Sequence, residues 1–303
     1  MFLGYGAALY VSVLIADLFF GRGGNLSLVL IFGSLGLGLA SQLFFDWHNV
    51  RPIFEVFRTG NIAIAIMMLG WWLFASETAI CIIVAWPVLF VGLGIGLYAT
   101  CAILNAIDQK TTFCLPLLIL PFMAPIFDLG ALVPMKSYAV SSQIEMRGTP
   151  DEIRMLTQSV PLIADAERPW TFTHSILRAP RPLRAELVDG IRYATWESGV
   201  AFEEILTPSD DPQNLSWTFN FPDPELLKPL DYRVSPLGPE VFLDHGGYQF
   251  EAIGPDRTLV TLTTQYRLHT VMNGYFALWG QVFLNDFHMA VLHVIAQRAE
   301  ATL

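Results

Sequence analysis

Apolar positions run almost unbroken through the first 135 residues and then give way to short alternating and helical patterns. Four stretches, 2–20, 26–45, 60–76 and 79–106, come close to the about 20 apolar residues that a bilayer-crossing helix needs. A fifth, 113–135, is long enough but carries Pro116, Pro121, Pro125, Pro134 and Asp128, so it reads as kinked, re-entrant or interfacial. The pattern predicts a transmembrane domain of four or five helices over residues 1–135 and a soluble domain over 136–303.

Past residue 135 the period changes. Tyr138–Met146 reads as a strand. Thr149, Pro150, Asp151 and Glu152 then supply an N-cap, a first-turn proline and two acids, predicting a helix over 150–160. Strands Arg184–Val188, Ile191–Glu197, Val200–Thr207 and Asn214–Phe221 follow, punctuated by Asp189-Gly190 and Ser198-Gly199. In the last of these, Leu215, Trp217, Phe219 and Phe221 alternate with polar residues, as in a half-buried strand with one aromatic face. Pro222–Pro239 interrupts the pattern, and a loop of that length inside a compact domain is a lid candidate. Strands Val241–Ile253 and Arg257–His269 complete the set. Phe276, Trp279, Phe283, Phe287, Val291 and Ile295 recur at three- and four-residue steps, predicting a terminal helix Asn273–Glu300 with one apolar stripe. The fold class is therefore an N-terminal α-helical transmembrane bundle plus a C-terminal α+β domain, a curved antiparallel sheet around a long C-terminal helix.

Composition sharpens this division. A mean hydropathy of +0.49 with 53% hydrophobic residues is too apolar for an ordinary soluble chain of 303 residues. The net charge of −10 argues against nucleic-acid binding, which needs a basic face. Phe2–Phe20 lacks a basic leader and a small-residue cleavage site, so it reads as a retained span. With five crossings the flanking cations divide evenly. With four, Arg51, Arg58, Lys110, Lys136 and Arg147 share one side and leave Arg22 alone, which places the C-terminal domain in the cytoplasm. The expected setting is a bacterial inner membrane.

Motifs with chemistry are scarce. Gly92, Gly94 and Gly96 sit mid-span and suit close helix packing, as do Gly33, Gly36 and Gly38, rather than a nucleotide loop. Asp17 and Asp128 lie near the ends of their segments, at interfacial depth. Cys81, Cys101 and Cys114 have no metal-ligand spacing. His288 and His293 stand about 140° apart around a helix and do not converge on a metal. Glu203 and Glu204 point to opposite faces of their strand, and with Glu197 they read as solvated hairpin charges. No nucleophile elbow, phosphate loop or metalloprotease motif is present, so no catalytic residue, metal or cofactor is expected.

The segments Ser142–Ile153 (SQIEMRGTPDEI), Gly190–Gly199 (GIRYATWESG), Gly247–Glu251 (GYQFE), Asp256–Thr264 (DRTLVTLTT) and the helix ending Gln297–Glu300 carry a resemblance. Over residues 138–300 the chain resembles the START-like helix-grip superfamily (SRPBCC), the group of polyketide cyclase/dehydrase and lipid-transport proteins. The resemblance implies a cavity between sheet and terminal helix for a lipid, isoprenoid or polyketide-like ligand, with no universal catalytic residues to carry over. Strand faces expected to point inward nominate Tyr193, Phe202, Trp217, Phe219, Tyr248, Phe250, Leu262, Thr264 and Tyr266, and the helix adds Phe276, Trp279 and Phe283. The expected partners are membrane lipids and an apolar small molecule, with a membrane-protein partner or a second copy also open. A cyclase or dehydratase using the same cavity, and a structural subunit of a membrane complex, are the alternatives.

Overall fold

The computed structural model describes residues 26–46, 48–74, 79–106, 133–209, 211–223 and 235–302. The predicted first span, most of the proline-rich fifth stretch, Asp17, Asp128, Cys114 and the middle of the lid candidate lie outside the described residues. The chain divides into two compact units, Met1–Pro134 and Met135–Leu303.

In the N-terminal unit, helices α1 (Leu26–Phe45), α2 (Ile53–Phe74) and α3 (Ala79–Ala106) match the apolar stretches, except that α2 starts at Ile53 rather than 60. Glu55 and Arg58 continue that helix beyond its apolar part. Two windows, Ile53–Gly70 and Ala79–Ala106, are long and apolar enough to cross a membrane. Between α1 and α2, the Asp46 carboxylate accepts the backbone N–H groups of Val50 and Arg51, both at 3.0 Å, and holds the turn.

In the C-terminal unit the order is β1 (Lys136–Arg147), α4 (Pro150–Gln158), α5 (Phe172–Ser175), β2 (Pro182–Val188), β3 (Ile191–Trp196), β4 (Ala201–Thr207), β5 (Asn214–Asn220), β6 (Val241–Gly254), β7 (Arg257–Leu268) and α6 (Asn273–Thr302). Helix α4 starts where Thr149 gives both its backbone N–H (2.8 Å) and its hydroxyl (2.7 Å) to Glu152. The β2–β3 hairpin turns on Asp189 and Gly190, at φ 50° and 80°, the left-handed pair that a two-residue turn requires.

All seven strands form one antiparallel sheet, β1-β7-β6-β5-β4-β3-β2. A flat sheet of that size would be about 29 Å across at the usual strand spacing. A helix is only about 10–12 Å wide, yet α6 packs against both edge strands, β1 and β2. The sheet therefore curls around α6, the helix-grip arrangement. Strand register brings one set of termini together. Lys136 and Val241 both face Leu268, Glu203 faces Asn220, and Pro182 faces Trp196. This proximal end is where the chain arrives from Pro134.

Candidate functional site: an aromatic groove inside the sheet

The distal half of the interior is sealed. Ile153, Phe250, Val260, Leu292 and Ile295 are fully buried in one cluster, and burying a side chain of this size is worth about 1.5–3 kcal/mol. Along the second half of α6 the buried set is His288, Leu292, Ile295 and Ala299 with Ala290 and Val294. The predicted stripe thus holds at Ile295 but turns toward Leu292 in the last turns.

A ladder of rings leads from that core to the proximal end. Phe250 meets Tyr248 (centroids 6.0 Å), Tyr248 meets Trp217 (5.3 Å), Trp217 meets Phe219 (6.3 Å) and Phe219 meets Phe202 (6.0 Å). Phe202 continues to Phe221 and to Trp196, both at 5.9 Å, and Trp196 reaches Phe287 on α6 at 5.2 Å. Burial falls along this ladder. Tyr248 and Trp217 are closed off, whereas Phe219, Phe202, Phe221, Trp196 and Phe287 are half-buried. One and two turns earlier on α6, Phe283 and Trp279 stack at 5.6 Å and are half-buried as well. The inner face between β3–β5 and the first half of α6 is therefore lined by half-buried aromatic rings.

An ion pair sits at the groove floor. Arg192 and Glu204 face each other across β3 and β4, both buried, with the guanidinium Nε donating to the Glu204 carboxylate. Arg192 Nη1 also donates to the Thr157 carbonyl at 2.8 Å, and its guanidinium lies 4.3 Å from the Trp217 ring centroid. Phe202 and Phe219 flank Glu204, as its neighbours along and across the strand. Burial pushes the nearby Tyr248 phenol up to about 12, so Tyr248 adds no charge.

Two histidines are buried nearby. His288 fits between hydroxyls, with Nδ1 3.1 Å from Ser142 Oγ and Nε2 2.8 Å from Thr264 Oγ1. Ser142 gives its proton to Asn285 Oδ1 at 2.8 Å, so the neutral imidazole donates from Nδ1 and accepts at Nε2. Burial pulls the His288 pKa down to about 4. His174 lies against Phe287, with Nδ1 3.2 Å from the Ala179 carbonyl, and burial lowers its pKa too. A crevice beside it, lined by Arg168, His174, Arg181 and Ala290 among others, has a volume of about 10 Å³, room for a single water. Among the described residues no cluster of His, Cys, Asp or Glu could hold a metal.

The predicted positions divide three ways. Trp217, Tyr248, Phe250, Leu262, Thr264 and Tyr266 face inward but are buried in packed core. Phe202 and Phe219 are half-buried and in ring contact, Trp279 and Phe283 are half-buried and stacked on each other, and Phe276 packs against the Val140, Tyr266 and Leu268 cluster. Tyr193 is a correction. It is 42% exposed on the outer face, between Glu186 and Glu203, because the Asp189-Gly190 turn sets Val188 against Ile191 and so turns Arg192, Ala194 and Trp196 inward. The same register corrects the solvated reading of Glu204, while Glu203 faces outward and accepts from Asn220 at 2.6 Å. Arg192 was legible only as its partner twelve residues earlier on the facing strand.

Comparisons with known proteins concern the C-terminal unit alone. Norcoclaurine synthase from Thalictrum flavum is 12% identical, with 56% of this chain and 98% of that chain covered at a TM-score of 0.37. A START superfamily protein from Mycobacterium smegmatis is 8% identical, covering 55% and 99% at 0.36. The Zhui aromatase/cyclase from Streptomyces sp. R1128 is 12% identical, covering 55% and 94% at 0.33. No family model and no curated protein matches the chain. The fold assignment rests on the strand order and on the helix held by both sheet edges.

Proposed function

We propose that the C-terminal unit binds a mainly apolar molecule in the groove between β3–β5 and the first half of α6, and that the N-terminal helices hold it at a membrane. The observation that carries this reading is the half-buried state of Trp196, Phe202, Phe219, Phe221 and Phe287 on the concave face of a sheet whose distal half is fully packed. Large aromatics left partly in water forgo burial energy that an apolar ligand would supply. The groove opens at the proximal end, so a molecule dissolved in the bilayer would have a short path to it. The Arg192–Glu204 pair at the floor suits a ligand with one polar group on an apolar body. Glu204 is already tied to a guanidinium, which favours holding a ligand over moving a proton.

The tether reading draws on the outward faces of α2 and α3. Only 28% and 33% of their apolar windows are buried, and Ile62, Ile66, Val91 and Ile95 each expose more than half of their surface. A soluble core helix would be mostly buried. On the four-crossing arrangement the groove lies on the cytoplasmic side of a bacterial inner membrane.

The single-water size of the crevice beside His174 favours a second reading, in which the interior is solid and the unit is an assembly subunit. Native mass spectrometry of the full chain in detergent, followed by lipid extraction, separates the two. Binding predicts a co-purifying apolar molecule that is lost in Phe202→Glu with the near-ultraviolet circular dichroism unchanged. A folded chain that carries nothing and takes up no fluorescent acyl probe would leave the assembly reading.

A further inference from the structure

We propose that the proximal end of the C-terminal unit seats on the headgroup surface of an anionic lipid bilayer. This inference rests on the membrane-tether reading. Leu278 (69% exposed) and Val282 (41%) stand out on the first half of α6, and Trp170 (71%) and Ile176 (53%) flank α5, which meets the middle of α6 through the Thr173 N–H donating to Asp286 Oδ2 at 2.7 Å. The Arg168–Glu197 ion pair, at 2.9 Å, fixes that segment beside the turn between β3 and β4. Lys136, the first residue of β1, and Arg178, just before β2, are exposed cations at the same end.

The opposite end also exposes apolar side chains, Val188 (52%) and Ile253 (44%), and differs in charge. Its turns and helix start expose Asp151, Asp189, Asp211, Glu251 and Asp256, and its cations Arg147 and Arg257 are spent on Asp256 and Glu145. A unit that is acidic overall would be repelled by an anionic surface in most orientations, and its distal acids point this one away. Exposed apolar side chains near Lys136 and Arg178, with an exposed tryptophan, suit the boundary between headgroups and acyl chains, and the exposed Asp165 of the same segment is paired with Arg168 at 2.9 Å. The chain itself arrives at this end from Pro134, directly after an apolar stretch, which identifies the bilayer as the occupant. The groove mouth opens on the same side, so seating would place it against lipid.

Spin labels test the proposal on the full chain, with Cys81, Cys101 and Cys114 replaced by serine and the protein reconstituted in vesicles of phosphatidylcholine and phosphatidylglycerol. Single cysteines would be placed at Ile95, Trp170, Leu278 and Val188, and collisions with oxygen in lipid and with a nickel chelate in water would be measured. Seating predicts that Trp170→Cys and Leu278→Cys lose nickel collisions relative to Val188→Cys and gain oxygen collisions. Nickel access at 170 and 278 equal to that at 188, with Ile95→Cys in lipid, would overturn seating and leave the tether intact. Nickel access at Ile95→Cys would overturn the tether, and seating with it. Shielding of 278 from both reagents would mean a protein partner or a second copy, and would also overturn the proposal.

Discussion

A guanidinium and a carboxylate taken out of water cost several kcal/mol each before their attraction returns anything. Arg192 and Glu204 are buried all the same, and the groove floor shows what offsets that cost. Arg192 spends Nε on Glu204, Nη1 on the Thr157 carbonyl and its flat face on Trp217. Trp217 in turn lies flat against Gly246, where any Cβ would collide with the indole. Removing one partner should therefore be far worse than removing both. Glu204→Gln should destabilise the unit by about 3–5 kcal/mol, while Arg192→Met with Glu204→Leu should come within about 1 kcal/mol of the parent or exceed it. Denaturant midpoints of the single and double variants check this. A Glu204→Gln midpoint equal to the parent's would show that the pair contributes nothing and remove the polar floor from the binding reading.

At the scale of elements, close approach explains the N-terminal unit and periodicity explains the C-terminal one. Gly38 on α1 abuts the backbone of Leu93–Leu97 on α3, Gly96 abuts Leu35, and Gly92 abuts Ser34, so the two helices touch with no space for a methyl group. Gly96→Val should separate them at a cost of about 1–3 kcal/mol, typical of overpacking. A disulfide-trapping scan between α1 and α3 positions would register the separation as lost cross-linking, and unchanged cross-linking would show that the crossing does not depend on these glycines. Sequence reading anticipated this use of Gly38, Gly92 and Gly96 but not the open space beside Gly33, and it placed every described strand of the sheet to within two residues at each end, because alternation and turn residues are local signals. It misjudged Tyr193 and Glu204 for one reason. Side-chain type suggested that an aromatic faces in and an acid faces out, whereas the two-residue turn at Asp189-Gly190 fixes the register against that preference. Nothing local marks the β6 bulge at Asp244, where Arg267 grips the carboxylate at 2.7 Å from both Nε and Nη2 and the inward set passes from Leu243 to Gly246. Nor does local pattern reveal that the aromatics on the first half of α6 stay half-buried while the second half seals a core, since that follows from how far the sheet curls.

At the scale of the whole molecule, the C-terminal unit carries its own sheet and its own core, so Met135–Leu303 should fold without the helices before it. Its acid response then follows from the buried groups. His288 titrates near 4 in the folded unit against 6.5 unfolded, so below 6.5 the unfolded chain takes up a proton that the folded one refuses. Stability from this residue is full at neutral pH and falls as the pH drops toward about 4, by up to about 3 kcal/mol. His174, lowered by burial, acts with the same sign. Glu152, held down by the Thr149 backbone N–H, and Glu167, held down by Arg298, add losses that begin only below their usual 4.5. Acid should therefore weaken the fragment in two stages, with the histidine stage first. In His288→Asn the first stage should shrink, because the amide can serve Ser142 and Thr264 without taking a proton. Denaturant midpoints of the fragment and the variant, followed by near-ultraviolet circular dichroism from neutral pH into the carboxylate range, measure both stages. Parallel curves would mean that His288 is not the group that gives way, and a fragment with no near-ultraviolet signal at neutral pH would mean that the sheet needs the N-terminal unit to close around α6.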